Sequence, residues 1–262
     1  MRHLKLGAIL LSGLALVAQE PSNPVSMEKE AALGRQMVAE MSRHTTAIHQ
    51  PSIENYLQRL GGSIALEIPD ANFPFSLRVI TGDPCRTTHE PGALPGGYIF
   101  VPAALFLAAD DEAEFASMLA HSMEHAAERH GTRLATTGQI ANYGTIPLIY
   151  MGGWSGGCTE AALVPVGFLA AARNDELAAD ALAVEAVARA GFDPGALARY
   201  IGRVQTQRAT KFSTLPTRDE RVTAMRSIEE RLPVSDYWVT SGEFVAIQRE
   251  VRRLTEKALQ LQ

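Results

Sequence analysis

Residues 115–131 read FASMLAHSMEHAAERHG, and the reading of this stretch decides the fold. Asp110 or Asp111 supplies a helix N-cap just ahead of it, and Gly131 supplies a stop. The spacing therefore predicts one helix that runs through HSMEH to His130. On a helix each residue turns by about 100°, so His121 and His125 lie about 40° apart, one turn from each other. Both imidazoles can reach one ion, and neutral imidazole nitrogen suits zinc. A bare pair of histidines at this spacing also arises by chance and then binds nothing. His130 falls nine residues after His121 rather than ten, where a long zinc motif carries its third histidine, and is read as structural.

The commonest hydrolytic zinc motif is HExxH, with a glutamate directly after the first histidine. Here that position is Ser122, and the glutamate is Glu124, directly before the second histidine. H-x-x-E-H is the signature of inverted zincins. With the metal direction set midway between the histidines, Ser122 points about 80° to one side and Glu124 about 80° to the other. Glu124 acts as a base only if the cleft opens on its own flank. Otherwise it is a buried carboxylate that needs a partner, such as Arg129 or a backbone amide.

A third ligand is required, and Glu176 is the candidate, 51 residues after His125 at the start of ELAAD. Asp180 follows at i+4 on the same face, where a carboxylate orients a ligand histidine from behind. The alternative for this pair is a solvated helix face.

Bulk properties suit a globular protein. The chain has 262 residues, 46% hydrophobic and 20% charged. Net charge is −5, without a cluster of Lys and Arg, so nucleic acid is not an expected partner. The start, MRHLKLGAILLSGLALVAQ, has a basic head at Arg2 and Lys5 and an apolar run from Leu6 to Ala18. It reads as a signal peptide over residues 1–18, with an uncleaved anchor as the alternative. That run is too short to span a bilayer comfortably, and no stable membrane span is expected in the mature chain. An exported protein, periplasmic or extracellular, follows. Cys85 and Cys158 then form one disulfide or remain two buried thiols.

Along the chain, residues 19–27 read as a linker and 28–262 as one domain. Helical patterns cover MEKEAALGRQMVAEMSRH and SIENYLQRLGGSIAL, the second capped by Ser52 and ended or interrupted by Gly61–Gly62. FPFSLRVITGD alternates like a strand, and YIFV gives another after a Pro-Gly-Gly turn, which is the expected use of Gly96 and Gly97. The Gly-rich residues 140–172 read as a buried hairpin or a flap, in which Tyr150 and Trp154 either form a lid or simply pack. Asn174 or Asp175 caps the helix that contains ELAAD, and Gly191 ends it. FDPGALARYIGRVQ starts another helix, STLPTRDERVTAMRSIEERL is a loop and a helix, and the tail is an amphipathic helix. The balance is mainly α with a small sheet.

GALPGGYIFV, LAHSMEHAAERH, ELAADALAVEAVARAGFDP and FSTLPTRDERVTAM occur in this order. The series resembles the CAAX-prenyl-protease-like zinc metallopeptidases, peptidase family M48, and in particular their soluble exported members. The resemblance runs from about Glu28 to Arg226. It implies an α+β, mainly α, zincin-like helical domain with a small edge sheet, whose edge strand holds an extended peptide by strand addition. It implies one zinc ion on His121, His125 and Glu176, with Asp180 behind them, and peptide or unfolded protein segments as partners. Arg221 matches an arginine of the family that reaches the site; its alternative role is a surface salt bridge.

Two positions depart from the pattern. The family's general base is Ser122 here, and a serine hydroxyl is not basic at neutral pH. Loss of that group costs on the order of 10²–10⁴-fold in rate or more. The histidine of a T-H-P segment is Leu215. The sequence therefore predicts a zinc-dependent peptidase scaffold whose catalysis is weakened or absent. The alternatives are a non-catalytic periplasmic peptide-binding or chaperone-like scaffold, and an inverted zincin with Glu124 as base.

Overall fold

In the computed structural model, the described residues are 23, 25–69, 71–81, 89–137, 166–206 and 215–259. The signal segment, Cys85, Cys158, Tyr150 and Trp154 lie outside them. The elements in chain order are α1 (Met27–His44), β1 (Thr46–Ala47), α2 (Pro51–Ala65), β2 (Ser76–Thr81), β3 (Gly92–Leu94) and β4 (Tyr98–Pro102). They continue with α3 (Ala103–Ala108), α4 (Glu112–Ala127), α5 (His130–Thr137), α6 (Val166–Arg189), α7 (Ala196–Val204), α8 (Arg218–Glu229) and α9 (Gly242–Leu259). The fold is α+β and mainly α, as the residue pattern and the family resemblance imply.

The strands form one mixed sheet in the order β1-β2-β4-β3. β2 and β4 run parallel with Leu77 opposite Ile99, while β3 is an antiparallel edge strand. Alternation gives the sheet two buried faces. Leu77, Val79, Ile99 and Val101 face the main core; Ile80 and Phe100 meet Met37 and Met41 of α1 on the other side. The turn between β3 and β4 needs its glycines. Gly96 and Gly97 have φ of +78° and +82°, and a Cβ on Gly97 would stand 2.4 Å from the Phe73 ring.

α4 is buried on nearly every side, and of its residues only His125 is partly open. It packs chiefly against α6 and α7, and it also touches α2 and β3. A helix buried all round must place each polar group against a partner. Tyr56 donates to Glu112 at 2.8 Å, and Arg203 pairs with Glu114.

Several boundaries differ from the sequence expectation. α2 starts at Pro51 with Gln50 at its N-cap, because proline is preset for the first helical position; Ser52 already lies inside the helix. Gly61–Gly62 neither ends nor breaks it. A Cβ on Gly61 would stand 2.0 Å from Leu77, so the glycine lets the helix lie close on the sheet. α6 is already helical at Val166, so neither Asn174 nor Asp175 caps it, and the end of the stretch expected as a hairpin or flap is helix. The run GFLAAA is rich in good helix formers. The end of the expected linker is docked: Val25 is buried, Asn23 donates to Thr132 at 2.7 Å, and Met27 is already helical.

The helix through HSMEH is not continuous to His130. α4 ends at Ala127, Arg129 adopts φ +56°, and α5 begins at His130. Arg129 is held there by Glu30 at 2.5 Å and by the carbonyl of Val25, so it is not the partner of Glu124.

Candidate metal centre

α4 supplies two imidazoles, and α6 crosses it with two carboxylates one turn apart. Asp111 caps α4 by accepting from the Glu114 amide at 2.8 Å, which fixes where the helix starts. Gly191, at φ +90°, lies just past the end of α6.

The Nε2 atoms of His121 and His125 face each other at 3.2 Å. Glu176 places Oε2 at 3.5 Å from His121 Nε2 and Oε1 at 3.7 Å from His125 Nε2. Its Oε2 is buried and has no hydrogen-bond partner. Two ring nitrogens aimed at each other beside a buried, unbonded carboxylate oxygen fit a cation between them. The donors are N and O, as zinc takes. The sequence-derived ligand candidates thus converge.

A further carboxylate joins them. Glu90, just ahead of β3, brings Oε1 to 3.6 Å from His121 Nε2. One ligand atom from each of Glu90, His121, His125 and Glu176 lies within 4.8 Å of the others. Sequence reading missed Glu90, because an isolated glutamate in a loop has no period or spacing to mark it. Glu124 is buried on α4 and does not join this set.

The outer ring nitrogens are held too. Asp180 Oδ1 approaches His121 Nδ1 at 3.0 Å, off the line of a well-aligned hydrogen bond. Asp180 also accepts two bonds from Arg221, at 2.7 and 2.6 Å from Nε and Nη2. Arg221 is fully buried, so its alternative role as a surface salt bridge is corrected; its Nη2 stands 3.9 Å from Glu176. Gln205, also unmarked in the sequence, accepts from Arg221 at 3.1 Å and donates to the Pro216 carbonyl at 2.9 Å. It ties α8 and the segment that carries Leu215 to the site.

His130 meets His125 Nδ1 through its own Nδ1, at 2.9 Å. On a straight helix residues five apart point about 140° away from each other. The break at Arg129 is what turns the second ring back onto the first. Its structural reading thus becomes specific: it orients a candidate ligand.

Electrostatics agree with a cationic centre. Burial by itself raises the Glu176 carboxyl, but His125 and His121 outweigh it and hold it well below the usual range. Burial by itself lowers His121, yet Asp180, Glu176 and Glu90 raise it well above an ordinary histidine. Burial likewise raises Asp180, and Arg221 more than reverses it. His130 is pushed down to about 2 by burial and by its neighbours His125 and Arg133, so its ring is neutral.

Ser122 is fully buried, and its one O–H is shared between the carbonyls of Met118, at 3.2 Å, and Pro91, at 3.1 Å. Ser122, directly after the first histidine of the motif, is thus a tether between α4 and the start of the edge strand.

Residues 48–229 match peptidase family M48. The chain belongs to this family. It is a metallopeptidase-family protein, in agreement with the resemblance seen in its motifs. Among curated relatives, it is similar to the beta-barrel assembly-enhancing protease of Yersinia pestis, at 27% identity over 196 residues, 70% of this chain and 39% of that protein. The protein of the same name from Escherichia coli (strain K12) is 24% identical over 202 residues, 73% of this chain and 40% of the relative. A putative beta-barrel assembly-enhancing protease of Vibrio cholerae is 24% identical over 230 residues, 80% and 46% respectively. The chain spans less than half the length of these relatives. Among the described residues no helix is long and apolar enough to cross a membrane.

Proposed function

We propose that this chain is an exported zinc metallopeptidase-family protein in which peptide-bond hydrolysis is weakened or lost. His121, His125 and Glu176 are the zinc ligands. Zinc in such a site polarises the scissile carbonyl and acidifies a bound water. Asp180 and His130 hold the two rings from behind, and Arg221 fixes Asp180. No residue on the usual flank takes the water's proton, because Ser122 is bound to two backbone carbonyls. The observation that carries this reading is the pairing of a converged ligand set with that tether.

What remains when hydrolysis is lost is peptide capture. β3 is an edge strand beside α4, and strand addition at such an edge is how an extended segment would be held. The partners are then peptide or unfolded protein segments, in keeping with relatives named for β-barrel assembly.

The test is elemental analysis of the purified chain beside a His125→Ala control. One zinc per chain, lost in the variant, supports the reading; no metal in either removes it. A digest of an unfolded protein substrate then reads activity. Little or no cleavage is expected, and turnover at ordinary protease rates would exclude a weakened enzyme. If such turnover vanished in Glu124→Gln, it would establish the inverted arrangement.

A further inference from the structure

A catalytic zinc keeps three protein ligands and one open position, whereas a structural zinc is closed by four. The groups gathered at this centre number four, not three. We propose that Glu90 is a fourth protein ligand of the ion held by His121, His125 and Glu176, closing the position that hydrolysis needs open. The inference rests on the zinc reading above and deepens it.

Distance is the first support. In a tetrahedral site with bonds of about 2.0–2.1 Å, ligand atoms stand roughly 3.3–3.4 Å apart. The separations here are 3.2 Å between the histidines, 3.5 and 3.7 Å to Glu176, and 3.6 Å from Glu90 to His121. Glu90 comes about as near to His121 as Glu176 does, and its ligand atom stands within 4.8 Å of those of His125 and Glu176. A base acting on a metal-held water stands about one hydrogen bond, roughly 2.7 Å, farther out.

Charge is the second. Counted as ionised, Glu176 and Asp180 against Arg221 leave −1, and a divalent ion makes +1. A catalytic site balances that with a metal-held hydroxide. Glu90 supplies the same negative charge from the chain and brings the buried centre to neutrality. Bringing two or more charged groups out of water is tolerated only when they are paired in this way.

Anchoring is the third. Pro91 biases Glu90 toward an extended backbone, and the Pro91 carbonyl is bound by Ser122. The residue that replaced the base thus holds the carboxylate that takes the water's place. The side chains are correspondingly closed in: His121 is 0% exposed, Glu90 10%, Glu176 14% and His125 15%.

The experiment uses the full chain, stripped and reloaded with cobalt(II), whose visible absorption reports coordination. Acetohydroxamate, a small anionic chelator that needs an open position, is the probe. The expected result is a wild-type spectrum that acetohydroxamate leaves unchanged. In Glu90→Gln the probe shifts the spectrum, and zinc affinity by chelator competition falls at least about tenfold, the lower bound even for groups outside the ligand set. A wild-type spectrum that shifts with acetohydroxamate overturns the inference by itself, whether or not the variant folds. So does a Glu90→Gln protein that binds zinc as tightly as wild type. Wild type that takes up no metal, like His125→Ala, instead overturns the zinc reading on which the inference stands.

Discussion

Arg221 has no exposure to water, so its charge is balanced only by what the protein puts beside it. Asp180 does this with two short bonds, at 2.7 and 2.6 Å. Removing one member of a buried pair leaves an uncompensated charge, at a cost of about 3–5 kcal/mol. Asp180→Ala is therefore expected to destabilise the metal-free protein by that amount in urea unfolding. A loss below about 1 kcal/mol would mean that water reaches Arg221 in solution. His130 is a subtler case. As a neutral ring it accepts at Nδ1 from the Nδ1–H of His125, which leaves the His125 Nε2 lone pair facing the metal position; this tautomer follows from the hydrogen-bond network. His130→Ala is expected to lower zinc affinity by about 10–100-fold, as loss of a group that orients a ligand does. Chelator competition measures it, and an unchanged affinity would leave His130 a packing residue.

α8 carries Arg221 to the site, and its start is fixed by a capping box. Thr217 accepts from the Glu220 amide while Glu220 accepts from the Thr217 amide at 2.8 Å. Thr217→Ala is expected to cost about 1 kcal/mol in thermal unfolding. The sign with pH is set by Glu220, whose carboxyl these hydrogen bonds hold below its ordinary value. A lowered carboxyl stabilises the fold above its unfolded pKa and loses that contribution as pH falls through its folded value. The difference between Thr217→Ala and wild type therefore shrinks below about pH 4; a difference that grew in acid would contradict the box. Such caps are also why much of the fold is legible in the sequence. Asp111 and Gly191, read from the sequence as cap and stop, are local signals with local causes. β1 and β3, with two and three residues, are too short to show alternation, and only their partners make them strands. Gly61 misleads because its cause is the distant Leu77, and the break at Arg129 because its cause is Glu30 and Val25.

The centre is assembled from the segment before β3 together with α4, α6 and α8. The proposed ligands on α4 and α6 are legible because helices repeat, and because the family motifs stand in order. Glu90 is not, since only the closure of the sheet onto α4 brings it there. On the proposed reading, that closure predicts how activity responds to substitution. If Ser122 alone were the defect, Ser122→Glu would restore activity. With Glu90 in the fourth position, a new base has no metal-held water to deprotonate, and Ser122→Glu also gives up the bond to Pro91. Ser122→Glu by itself is therefore expected to stay inactive on a fluorescent unfolded substrate. Glu90→Gln by itself opens the position but lacks a base. The pair together is expected to exceed Glu90→Gln by on the order of 10²–10⁴-fold, the ordinary contribution of general acid–base catalysis. Equal activity in Ser122→Glu and in the pair would show that the fourth position was open from the start. Glu90 would then have to be placed outside the coordination sphere.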